Sequence, residues 1–267
     1  MNLCHPDSSK SCAACCGVYN VRDGRRDVLN ASIRERTRIF RTVPRDIDTV
    51  VNFGNHVRRV FDVAPIDPEI HVCEYLGFVD YQYLSIGCML HPNAPGNHGI
   101  DLRGLCYYGS VACKTFYCPA STELDSIKRE FTKDLVEDWH LYGLVVTDIN
   151  YLSALLGLIE LSLGEKLDPQ LALKGAPATI LRKMLGWKES WPYCEHSTIR
   201  RSHYYGKPVG LGGDGRILVN SIIDSLCFTY DMPQSSWLWG AYIEKEIGIF
   251  VKVYLKYKIE NIDINIR

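Results

Sequence analysis

Cysteine constrains this chain more than any other residue type. Eleven cysteines occur in 267 residues, and nine of them fall within the first 118. Cys4, Cys12, Cys15 and Cys16 form an N-terminal cluster, answered later by Cys73, Cys88, Cys106, Cys113 and Cys118. Thiols that merely fill a core are scattered through it. A C-x-x-C-C unit answered by distant cysteines predicts a thiolate metal or cluster site assembled from separated stretches of chain.

The spacing refines that expectation. Two cysteines separated by two residues turn both sulfurs to one side, which Cys12 and Cys15 satisfy. Cys15 and Cys16 are adjacent and point in different directions. Cys16 therefore serves a second metal, another iron of a larger cluster, or no metal at all. The nine thiols exceed the four that one tetrahedral Zn²⁺ needs, so two metals or a multi-iron cluster are expected.

Composition excludes several classes. The formal net charge is −1, which predicts no nucleic-acid or anionic-membrane partner. The longest apolar run, Tyr151 to Leu163, contains Glu160 and is too short to cross a bilayer. The first residues carry no basic region followed by an apolar stretch, so no export signal is expected. A cytoplasmic, reducing compartment is inferred, and it favours metal ligation over disulfides.

The expected fold is mainly α with a small β-hairpin. A loop-rich, metal-binding N-terminal half (1–120) precedes a mostly helical half (121–267), and the two can share one core. A first helix places Leu29, Ile33 and Phe40 on one side and its arginines on the other. A second carries Val50, Phe53, Val57, Val60 and Phe61 as an apolar stripe ended by Pro65. Glu74 to Leu90 reads as a hairpin, with Leu76 and Phe78 facing Leu84 and Ile86. Thr122 is the expected N-cap of a helix bearing Leu124, Ile127, Phe131 and Leu135. Further helices are expected at about 148–164, 176–186 and 216–228, and the segment from about 239 suits helix or strand.

Other motifs carry less. Gly210 to Gly215 matches G-x-G-x-x-G, but the polar stretch before it, containing Pro208, is no buried strand. Cys194-Glu195-His196 with His203 fits no standard zinc spacing, and Cys227 reads as a packing thiol on a helix. His91 and His98 flank the cysteines and are candidates for ligation or for hydrogen bonds to thiolates.

Ser11-Cys-Ala-Ala-Cys-Cys-Gly17, Cys73-Glu-Tyr-Leu-Gly-Phe-Val-Asp80, Gly87-Cys-Met-Leu-His-Pro92 and Lys114-Thr-Phe-Tyr-Cys118 together resemble the CxxCxxCC family. Its members are described as zinc- or iron-chelating cysteine-cluster proteins, with flagellin lysine N-methylases as relatives. The resemblance spans residues 4–118 and implies ligand roles for Cys12, Cys15, Cys16, Cys73, Cys88 and one or both of Cys113 and Cys118. The chain departs from the pattern at Cys4, which stands eight positions before Cys12. The resulting expectation is a metal-binding protein holding an iron–sulfur cluster in preference to zinc, with a redox or protein-modification role. The alternative is a structural zinc protein acting as an interaction module toward a protein or small-molecule partner. No catalytic residue is identified.

Overall fold

The computed structural model describes residues 2–61, 65–193, 214–226 and 236–264. The chain is mainly helical, with a single two-stranded antiparallel hairpin among the described residues. The cysteine-bearing part mixes loops with full helices and is not simply loop-rich.

Helix α1 (Arg26–Arg41) buries Leu29, Ile33 and Phe40 as their spacing requires. Arg36, expected among the exposed arginines, is instead on the buried face at 3% exposure. Helix α2 (Ile47–Val60) starts at an N-cap, Asp46, whose carboxylate accepts from the Thr49 amide at 2.9 Å. It ends at Val60, which is exposed, with Phe61 already extended (φ −99°, ψ 142°). Pro65 lies beyond that end and does not cause it.

Strands β1 (Leu76–Phe78) and β2 (Ile86–Cys88) pair Leu76 with Cys88 and Phe78 with Ile86. Leu84 does not face Leu76. It is exposed in a loop whose register is set by Asp80, which accepts from the amides of Gln82, Leu84 and Ser85 at 2.6–3.2 Å.

Helices α3 (Gly109–Thr115) and α4 (Ala120–Glu123) follow, then α5 (Ser126–Leu135). The N-cap of α5 is Asp125, which accepts from the Lys128 amide at 2.8 Å; Thr122 lies inside α4 and donates to Pro119 O. Helices α6 (Trp139–Val146) and α7 (Ile149–Leu163) are apolar and joined at an 80° bend. Short α8 (Pro169–Ala172), α9 (Gly175–Leu185), short α10 (Trp187–Ser190), α11 (Gly215–Leu226) and α12 (Ser236–Ile264) complete the chain. The C-terminal segment is therefore helix, not strand. No single described helix is long and apolar enough to cross a membrane. The Cys194–His196 group, His203, Gly210–Gly213 and Cys227 lie outside the described residues.

Apolar side chains gather in three cores. The largest joins α5 to α9 with α11 and α12, and it includes Leu3 from the N-terminus. A second collects Ala13, Ala14, Tyr19, Ile33, Leu76, Phe78 and Ile86 with Trp139 of α6. A third holds Phe40, Val50, Phe53 and Val57 against Tyr75, Met89 and Leu90. The second and third cores meet at the cysteines.

Candidate metal centre

The chain departs from regular spacing at Cys4, and the structure shows how that residue still reaches the others. The Cys12 amide donates to the Cys4 carbonyl at 2.9 Å and closes residues 4–12 into a loop. Asp7 holds the loop by accepting from the Ser9 amide at 2.8 Å and pairing with Lys10 Nζ at 2.8 Å. The far end is pinned where Ser11 Oγ donates to Ile86 O at 2.7 Å. A single 3₁₀ turn, Ala14–Cys16, then presents the adjacent cysteines.

Gly17 ends that turn at φ 76°, in the left-handed region that side chains disfavour. A Cβ there would sit 2.4 Å from His71 O. Its absence lets the 71–73 segment press in, so that the Cys73 amide donates to Cys16 O at 2.9 Å. The hairpin carries Cys88 alongside. The loop after it is tied by buried Asn97, which donates to Met89 O at 2.8 Å and His91 O at 2.7 Å. Beyond it, Cys106 Sγ and Cys113 Sγ stand 3.4 Å apart, and both thiols are free.

These stretches surround a cavity of about 620 Å³ lined by Cys4, Cys12, Cys15, Cys16, Cys73, Cys88, Cys106 and Cys113. Cys118 is the one predicted cysteine ligand not among its lining residues; it neighbours Cys4, Cys12 and Cys15. Burial pushes the thiols of Cys12, Cys73, Cys88 and Cys118 upward, Cys88 to about 11. At each of these four the amide two residues on (Ala14, Tyr75, Leu90, Ala120) donates toward the sulfur and pulls the other way. Such donors stabilise a thiolate and tune any group bound to it. Burial likewise lifts Cys4 to about 11 and Cys113 to about 12. Within the adjacent pair, the Cys16 thiol donates to Cys15 and holds it below the ordinary thiol range, while Cys16 itself is raised.

His91 lines the cavity, and its Nδ1 accepts from the Asn93 amide at 3.1 Å. In the neutral ring that bond leaves the proton on Nε2, which suits a donor to a thiolate better than a ligand. His98 is exposed at φ 51° and is not a lining residue. Among the lining residues that the sequence did not mark as part of a site are His5 and Arg103. His5 had a signal in its adjacency to Cys4. Arg103 had none. It is held by Asp101 at 2.9 Å and counters the charge of Cys88.

Arg36 offers a check on the donor set. Its Nε and Nη1 are buried with no hydrogen-bond partner, and the charges nearest its guanidinium are Cys73 and Glu74. A buried cation persists where negative charge balances it; Glu74 stands beside it, and metal-bound thiolates at Cys73 and its neighbours would supply further negative charge. Donor chemistry and number therefore fit a thiolate-bound metal group. As placed, no three His, Cys, Asp or Glu side chains among the described residues close around one ion.

Comparison with protein-family models, with curated proteins and with solved structures finds no match to this chain. The likeness to the CxxCxxCC family rests on the motif residues themselves.

Proposed function

We propose that the chain is a metal-binding protein of the CxxCxxCC kind, its N-terminal cysteines holding an iron–sulfur cluster for redox or protein-modification chemistry. The observation that supports this reading is the gathering of eight cysteines from five separate stretches of chain around one cavity of about 620 Å³. Amides aimed at four of the sulfurs and the buried Arg36 charge support it further. An iron–sulfur cluster supplies one-electron transfer at a potential set by hydrogen bonds to sulfur, net charge and exposure. Here the residues acting on those quantities are the backbone donors, His91, Arg103 and Arg36.

A structural zinc site is the second reading. It is favoured by the position of the thiols between the second and third cores, both of which take in cysteines. Metal bound there would contribute folding energy directly by joining the two cores. Anaerobic purification followed by iron, zinc and acid-labile sulfide analysis separates the readings. Brown protein with several irons and matching sulfide per chain is expected. Colourless protein with zinc alone overturns the iron reading in favour of the structural one. Protein that retains neither metal, even after reconstitution, overturns both.

A further inference from the structure

The cysteines do not spread evenly around the cavity. Cys12, Cys15 and Cys118 pack against the second core, Cys12 and Cys118 also touch the large helical core, and Cys16 packs on both the second and the third. Cys73 and Cys106 are buried in the third core, with Cys16 and Cys88 packed on it. Backbone hydrogen bonds repeat the division, Cys12 N to Cys4 O on one side and Cys73 N to Cys16 O on the other, each 2.9 Å.

Apart from the contact between the Cys15 and Cys16 thiols, electrostatic neighbours fall into two sets. Cys4 interacts with Cys15 and Cys118, and Cys12 with Cys4, Cys15 and Cys118. Cys16 interacts first with Cys15, to which its thiol donates, and beyond it with Cys73 and Cys88; Cys73 interacts with Cys88 and Cys106, and Cys88 with Cys106. The sets meet at the Cys15–Cys16 peptide, which lies in the 3₁₀ turn. Successive side chains in a 3₁₀ turn are about 120° apart, so Cys15 and Cys16 leave the backbone in different directions even though their thiols touch. Cys113 is exposed and reaches toward both, touching Cys106 at 3.4 Å and interacting with Cys15.

We propose that the cysteines form two separate four-thiolate metal sites, Cys4/Cys12/Cys15/Cys118 and Cys16/Cys73/Cys88/Cys106, divided at the Cys15–Cys16 peptide. Each set is the ligand complement of one iron–sulfur cluster or one Zn²⁺. Cys113 is then a ninth thiol that neither site requires. The inference rests on the reading that these thiols hold metal.

Native mass spectrometry of the anaerobically purified full chain, with metal analysis of the same samples, tests the division. The wild type is expected to carry two equal metal loads. Cys118→Ser is expected to lose one load and keep the other, as is Cys88→Ser, the double variant to lose both, and Cys113→Ser to keep both. A wild type with a single load, or a single variant that sheds all metal while its circular dichroism stays helical, overturns the division and leaves the metal reading standing. A wild type without metal overturns the metal reading itself. The wild-type load decides the matter even if a variant fails to fold.

Discussion

Gly17 shows how much of the centre depends on one residue. Its left-handed backbone and the 2.4 Å approach that a Cβ would make to His71 O both demand glycine. Gly17→Ala is expected to cost about 1–2 kcal/mol from the backbone conformation alone, with more from displacing the 71–73 segment. Urea unfolding measures the cost, and metal content should fall because Cys73 is carried on that segment. An alanine variant of unchanged stability and metal load would contradict the account of this turn. The residues that define the centre were partly legible in the sequence. The C-x-x-C-C spacing and the clustering of nine cysteines are local facts and pointed to the cavity. Arg36 and Arg103 were not legible, since a charged residue on a helix or in a loop reads as solvated until its neighbours are known. The fold-back of Cys4 was equally hidden, because it depends on hydrogen bonds within the loop rather than on spacing.

Among the elements, helix starts are set repeatedly by aspartate. Asp46, Asp125, Asp138, Asp148 and Asp168 each accept from an amide of the first turn. Choosing Thr122 over Asp125 misplaced one start, because both residues satisfy the same composition rule and only the backbone selects between them. One contact joins three elements. Glu189 of α10 pairs with Arg26 of α1 and with Nδ1 of buried His140 in α6, whose Nε2 lies 2.8 Å from Gly24 O. Burial alone would raise the Glu189 carboxyl, but His140 and then Arg26 hold it below the usual carboxylate range. A depressed carboxylate stabilises the fold above its unfolded value, about 4.3, and that contribution disappears as pH falls through the lower folded value. Glu189→Gln is therefore expected to be less stable than wild type at pH 7, by about 1–3 kcal/mol. The gap should shrink as the pH is lowered below about 4. Thermal unfolding of both proteins across that range checks it. A gap independent of pH would remove the ion pair from the explanation.

At the scale of the whole molecule, the boundary near residue 120 does not separate the cysteine region from the helices. Tyr142 Oη donates to Leu3 O at 2.9 Å, Tyr19 Oη donates to His140 O at 2.7 Å, and Trp139 belongs to the second core. Hydrophobic periodicity revealed α1, α2, α5, α7, α9 and α11, each with its own pattern, but not the short α3, α4, α8 and α10 or the almost wholly buried α6. It could not reveal which helices meet the cysteine loops, since that depends on contacts more than a hundred residues apart. The cavity is accordingly held from both sides, by the hairpin with α1 and α2 and by the packing of Cys12 and Cys118 on the helical core. The proposed function requires metal in this cavity. Diffraction from crystals of anaerobically purified protein, collected at the iron and zinc absorption edges, tests it most directly. Anomalous peaks beside the sulfurs of Cys15 and Cys16 are the predicted result, and bound metal located anywhere else in the chain would contradict it.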